Sequence, residues 1–196
     1  GVMTVNTATP DYIVDGVLTD GEAWVALGTA TPSAADVVFT STTGANDWSQ
    51  YMDLKIIGYV RTSKAAVSTS LLLNLNNDYG NNYSMQYLYG GGTTVASGTA
   101  TTTYAYAGWV AGDNATANVF STVVIDLFDI NSGKFKSVMA WSGETNDVTN
   151  YIATFANVWK YEAPITEIDL TGVSAAAGEA GTRFDLFGIL PRMVTA

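Results

Sequence analysis

The chain has 196 residues, of which 47% are hydrophobic and 13% are charged, a balance that supplies a sizeable core and excludes an intrinsically disordered chain. Cysteine and histidine are absent, which excludes disulfides, thiolate and imidazole metal ligands, and every Ser-His or Cys-His catalytic pair. The formal net charge of −10 repels phosphate backbones and anionic lipid, so we expect no nucleic acid and no membrane partner.

The first segment of the chain differs from the rest. Residues 1–23 lack a strong hydrophobic period, and we expect them to form an N-terminal arm or a peripheral pair of strands. The body begins near Trp24. We expect residues 24–196 to form one domain, because a β-sandwich of this length is ordinary and the chain shows no internal repeat.

Most of the body alternates apolar and polar residues with a period of two, the pattern of half-buried strands. Thr, Val, Gly, Ser, Asn and Tyr dominate, and turn signals separate the runs. The predicted strands are 34–41, 51–62, 69–77, 83–90, 102–110, 118–130, 135–142, 150–159, 165–173 and 183–190. Many short strands with regular turns predict an all-β, jelly-roll-like antiparallel sandwich.

Two of these segments need separate comment. Residues 118–130 are apolar on both faces, which is more apolar surface than one core requires, so we expect the second face to be buried against another protein. The segment 148–162 fits both a helical and a strand period. We favour a strand, because the rest of the chain is β.

The segment NLNNDYGNNYS, residues 74–84, combines five Asn and one Asp between two apolar runs. As a calcium loop it fails at two demanding positions, where Tyr79 replaces the glycine and Met85 the final carboxylate. A turn is favoured, since Asn, Asp and Gly80 tolerate left-handed backbone. A weak calcium site and a ligand-facing loop stay open as alternatives.

The same segment contains a candidate ligand or interface patch. Sugar binding needs aromatic ring faces beside amides and carboxylates, and Asp78, Tyr79, Asn81 and Tyr83 would supply them. The competing interpretation is that these rings belong to the core or to a subunit interface.

Catalytic chemistry finds little support. The carboxylate pairs Asp126 with Asp129 and Glu162 with Glu167 could be proposed for a glycosidase, but 18 acidic residues produce such pairs by chance. The triplet GGG at 90–92 lacks the Lys-Ser/Thr of a phosphate loop. We therefore expect a protein that is not an enzyme, with no cofactor and no metal.

A series of phrases between about Leu27 and Leu190 carries a resemblance. These phrases include YMDLKIIGYVRTSKAA, LLLNLNNDYGNNYSMQYLYGGG, NVFSTVVIDLFDINSGKFKSVMAWSG and AGTRFDLFGIL. The series resembles a β-sandwich module of virion proteins of tailed bacteriophages. That module has an LxLxxxGRTSR-like strand, an NGD-G-NYS-like turn and a closing GTRFxLYGI-like strand. Here the basic positions are reduced to Arg61 and Lys64, and Phe187 stands where Tyr is usual.

The resemblance implies a non-enzymatic structural protein on the exterior of a virion. Its expected roles are capsid decoration or cement protein, or a tail or tail fibre component, in contact with other virion proteins. It also implies a homo-oligomer, with a homotrimer favoured. In such an assembly we expect residues 1–23, which precede the resemblance, to act as an arm that reaches a neighbour. The alternative is a carbohydrate-binding, receptor-binding β-sandwich module whose partner is a host glycan.

Overall fold

A computed structural model describes residues 13–14, 17–18, 24–33, 35–145, 150–172 and 178–190. Two short 3-10 helices, η1 (Gly44–Asn46) and η2 (Trp48–Gln50), interrupt an otherwise β structure. Within the described residues no helix is long and apolar enough to cross a membrane. In the first segment, β1 (Ile13–Val14) pairs antiparallel with β2 (Val17–Leu18). The role of residues 1–23 as an arm stays a prediction.

The remaining strands form two antiparallel sheets. The larger has eight strands, in the spatial order β3 (Trp24–Ala30), β14 (Arg183–Ile189), β5 (Asp53–Val60), β10 (Ser121–Phe128), β11 (Lys136–Thr145), β12 (Asn150–Trp159), β7 (Tyr83–Gly91) and β8 (Thr94–Thr102). The smaller has four, in the order β4 (Val37–Thr40), β13 (Glu167–Gly172), β6 (Ser68–Leu75) and β9 (Ala105–Ala111).

The chain crosses repeatedly between these sheets, as in Greek-key sandwiches. Strands β3, β5, β7 with β8, β10 to β12, and β14 belong to the larger sheet, and β4, β6, β9 and β13 follow between them in the smaller one. This architecture confirms the predicted all-β sandwich. It also confirms the strand interpretation of the ambiguous 148–162 segment, which contains β12.

Two strands were not among those predicted, β3 and β8. Strand β8 reads TVASGTATT, whose single large apolar residue is Val95, so periodicity has nothing to detect there. Its neighbour β7 aligns it through a hairpin with a two-residue turn at Gly92 and Thr93. The segment is therefore a strand because it pairs with β7, and its own residue pattern does not indicate one.

The core lies between the sheets and is built from the inward faces of the strands. In β10, Val123, Ile125 and Leu127 are fully buried, whereas Val124 and Phe128 point outward. Each buried aliphatic side chain contributes about 1.5–3 kcal/mol relative to an exposed one. Strand β10 thus gives one face to the core, and its other face points away from the smaller sheet. In the smaller sheet β6 differs, because residues 71–75 are buried on both faces.

Among the cationic side chains that the structure describes, Arg61 and Lys136 are buried and serve the fold. Arg61 forms an ion pair with Glu179 at 3.0 Å and donates to the backbone carbonyls of Asp113, Ala115, Thr116 and Val119. The Lys136 ammonium donates to the carbonyls of Ser132, Lys134 and Glu162, and burial lowers its pKa. Arg61 thus anchors a loop, so it is unavailable as a surface cation.

Candidate functional site

The polar turn between β6 and β7 is organised around Asp78. Its carboxylate accepts hydrogen bonds from Trp159 Nε1 at 2.6 Å, from the Gly80 amide at 2.9 Å and from Asn82 Nδ2 at 2.9 and 3.0 Å. Burial opposes ionisation of this carboxyl, but the donors prevail and hold the pKa of Asp78 below its ordinary value. Both carboxylate oxygens are therefore occupied inside the protein.

Three asparagines of this turn, Asn74, Asn76 and Asn82, also form hydrogen bonds within the protein. Asn74 Nδ2 donates to the carbonyls of Asp78 at 3.1 Å and Thr103 at 2.7 Å. Asn76 and Asn77 adopt left-handed backbone, with φ of 51° and 56°. These residues form the turn that the sequence predicts, with side chains that tie it to neighbouring loops.

Tyr83 does not belong to the candidate patch as an exposed ring, which corrects the sequence interpretation. Its side chain is fully buried and stacks on Trp159 with a centroid separation of 6.5 Å. Its hydroxyl accepts from the Leu75 amide at 3.0 Å and donates to the Asp78 carbonyl at 3.1 Å, and burial raises its pKa. Period-two alternation at the start of β7 turns the ring into the core.

Tyr79 and Asn81 are the exposed members of the predicted patch. Tyr79 is 57% exposed, and its hydroxyl donates to Asp169 Oδ2 at 3.0 Å, a bond that raises the pKa of Tyr79. Burial raises the pKa of the Asp169 carboxyl, and the Tyr79 hydroxyl only partly offsets this. A ligand site at these residues stays a prediction, with one ring where two were expected.

The described residues contain no group of three or more His, Cys, Asp or Glu side chains arranged to hold a metal ion. Of the acidic residues considered for catalysis, Asp126 forms an ion pair with Lys55.

A different surface stands out, the outer face of the eight-stranded sheet, meaning the side turned away from the four-stranded sheet. Antiparallel register places side chains from adjacent strands in rows across this face. One row runs through Ile57, Val124, Trp141, Thr154 and Leu88. The next runs through Tyr59, Thr122, Gly143, Ile152, Gly90 and Val95. Apolar side chains thus continue across six strands.

These two rows enclose an open groove of about 750 Å³. Gly143 and Gly90 lie on either side of Ile152 and have no side chains, which creates the depression. None of the residues that line the groove is charged. Four large apolar side chains border it with much of their surface in solvent: Leu88 (50% exposed), Val95 (76%), Trp141 (44%) and Ile152 (72%).

One edge of the groove is held by charged and aromatic contacts. Lys55 forms its ion pair with Asp126 while its Nζ lies 6.0 Å from the Trp141 ring centroid and 5.3 Å from that of Trp24. Such cation–aromatic contacts orient the rings and keep the lysine stem against apolar surface. The Trp24 and Trp141 rings therefore both lie close to the Lys55 ammonium at this edge.

Sequence reasoning found part of this face and missed the rest. It identified the two-faced character of 118–130, which supplies Val124, but gave no weight to Trp141, Ile152, Leu88 and Val95. The signal was present in β11, where Met139 and Trp141 alternate with buried Val138 and Ala140. Assembling the groove also required the order of β10, β11, β12, β7 and β8 in space.

Comparisons with protein-family models, curated proteins and solved structures give no match. The site therefore has to be interpreted from its own geometry. It offers contiguous apolar area, a concave shape and a half-exposed tryptophan, features that are common in surfaces that bind by complementarity.

Proposed function

We propose that this protein is a non-enzymatic structural component of a bacteriophage virion, placed on the particle exterior as a capsid decoration or cement protein or as a tail or fibre component. In that role the outer face of the eight-stranded sheet docks on another virion protein. The observation that supports docking is the uncharged groove bordered by Leu88, Val95, Trp141 and Ile152.

The physical argument concerns exposed apolar area. Contiguous apolar patches on soluble proteins mark interaction sites when they are large and rimmed by polar groups. Burying apolar surface contributes about 25 cal/mol per Å², and Ile152 and Trp141 together would add a kcal/mol or more at about that rate. The net charge of −10 keeps the free chain soluble, while the groove itself has no charge to desolvate.

The virion assignment is supported by the resemblance of the phrases between Leu27 and Leu190 to a module of tailed-phage virion proteins. Its phrases cover strands throughout the body, including those that carry Leu88, Val124 and Trp141 of the groove. Docking by complementarity is the mechanism expected of a decoration or cement protein, whose product is a stable particle.

Immunolabelling of purified particles tests this proposal. We expect label on intact particles, evenly over heads for a decoration or cement role, or on tails for a tail or fibre component. Ile152→Lys should abolish incorporation, because the lysine places a charge in the groove. Val38→Lys is the matched control: Val38 is 56% exposed on the other sheet, so its variant should still load. Unlabelled particles, or equal loading of both variants, would contradict the proposal.

A second candidate is a carbohydrate-binding module that acts as a receptor-binding tip. Exposed Tyr79 beside exposed Asn81 is the observation that favours it. Label confined to tail ends, together with loss of glycan binding in Tyr79→Ala, would move the assignment to this candidate.

A further inference from the structure

Strand β8 is the last strand of the eight-stranded sheet, and among the described residues it has a strand neighbour, β7, on one side only. The two strands pair over nine positions without a register shift. The sequence of β8, TVASGTATT, contains no charged residue and no proline. Lysines, prolines and bulges are the devices by which natural edge strands avoid pairing with other chains. Strand β8 has none of them, so within the part of the chain that the structure describes this edge is free to pair with another strand.

The opposite edge of the same sheet is different. There β3 pairs with β14 through a register shift between Leu186 and Phe187, where Leu27 is the extra residue. Such a bulge bends the edge and interrupts its ladder. Only β8, of the two edges of this sheet, presents an unbroken ladder of backbone donors and acceptors.

The sequence of β8 is nearly symmetrical about Gly98. If two copies of β8 are placed antiparallel with Gly98 opposite Gly98, each residue meets one of matching size. Thr94 meets Thr102, Val95 meets Thr101, Ala96 meets Ala100, and Ser97 meets Thr99. A two-fold contact requires such self-complementarity, because the same surface serves both partners.

We propose that β8 is a self-association edge, which pairs antiparallel with β8 of a second copy of this chain about a two-fold axis at Gly98. Alternate residues of an edge strand direct their amide and carbonyl groups away from the sheet, and the second copy supplies partners for them. Charge favours this place: the chain carries −10, and an uncharged edge lets two copies approach with the least repulsion.

The pairing joins the two eight-stranded sheets into one continuous sheet. Residues that share a face in one copy stay on that face across the axis, since Val95 opposes Thr101 and both point outward. Val95 also borders the groove, so the two grooves lie on the same side of the joined sheet. A two-fold contact gives even-numbered assemblies, in contrast to the trimer that the resemblance implies. It does not depend on the proposed function.

Sedimentation of the 196-residue chain is the first test. We expect a concentration-dependent shift from the 20.7 kDa monomer to twice that mass. The register is tested by two double variants. Ser97→Lys with Thr99→Lys places lysine opposite lysine on both sides of the axis at Gly98, whereas Ser97→Lys with Thr99→Asp places lysine opposite aspartate there. The dissociation constant should differ by about tenfold, tighter for the lysine–aspartate variant.

These two variants are matched controls for each other. Both lose the hydrogen bond from Thr99 Oγ1 to the Met85 carbonyl, and equal melting temperatures would show that both are folded. Two added lysines change the formal charge from −10 to −8, while the lysine–aspartate pair leaves it at −10. General repulsion between chains therefore predicts tighter association of the two-lysine variant, the reverse of our expectation.

Cross-linking gives a second measurement, which is clean because the chain has no cysteine. Opposed residues of antiparallel strands have Cα atoms about 4.5–5.5 Å apart, within disulfide range. A mixture of Ala96→Cys and Ala100→Cys chains should form mixed disulfide dimers on oxidation, and neither variant alone should do so efficiently. A chain that stays monomeric at every concentration, or cross-links that ignore this pairing, would overturn the proposal.

Discussion

The turn at residues 74–84 and the outer face of the larger sheet differ in how their side chains are occupied. The turn is rich in polar residues, and the side chains of Asn74, Asn76 and Asp78 form hydrogen bonds with other groups of the same chain. The outer face is made of ordinary strand residues, and its apolar side chains are left in solvent.

The difference shows where binding capacity resides. A polar group whose donors and acceptors are satisfied internally has little left to offer a ligand. An exposed apolar group keeps its full transfer free energy available until something covers it. Composition alone would indicate the turn as the better candidate for a binding site. The contacts indicate the outer face instead.

The largest effect should come from Tyr83. We expect Tyr83→Ala to lower the free energy of unfolding by about 3–5 kcal/mol, because it empties a core site against Trp159. Thermal melting should fall by about 10 °C for a chain of this length. Tyr79→Ala is the control, and its melting temperature should change little, since that ring is 57% exposed. A similar fall in melting temperature in both variants would contradict the assignment of Tyr83 to the core and of Tyr79 to the exposed patch.

Asp78→Ala should have the next largest effect. The substitution leaves Trp159 Nε1 buried without its acceptor, at a cost of about 1–3 kcal/mol, which chemical denaturation would measure. The wild-type pKa is below the ordinary 3.8, so the charge-dependent stability is present above that value and is lost as pH falls through the folded pKa. The difference between wild type and variant should therefore shrink below about pH 4. A difference independent of pH would contradict the role of the charge.

Gly143→Val should have the smallest effect on stability. It should have a large effect on docking to particles. An added Cβ at this position would meet Thr122 Oγ1 at 3.4 Å, an ordinary contact, and valine suits a strand. The side chain would fill the groove between Trp141 and Ile152 without adding charge. We expect a melting temperature near that of the wild type and weaker loading onto particles in a competition assay. Unchanged loading would assign docking to another surface.

Much of the fold was predictable because it depends on local alternation. The strands that became β5, β10 and β14 have large apolar residues every second position, and the protein buries that face. Alternation in β7 separates Tyr83 from its neighbours, but it does not show which face of the strand is buried, nor does it show which donors bind Asp78. Both depend on Trp159, a residue about 80 positions away that register brings to the turn.

The sequence by itself determined the class of fold, the strands with strong period two, and the absence of cysteine and histidine chemistry. These follow from composition and from the spacing of apolar residues along one strand. Only the tertiary structure decided that Tyr83 is core, that Tyr79 is exposed, and that Trp141 and Ile152 border one groove. The physical reason is that faces and grooves are made by rows across strands, and a row joins residues that are distant in the chain.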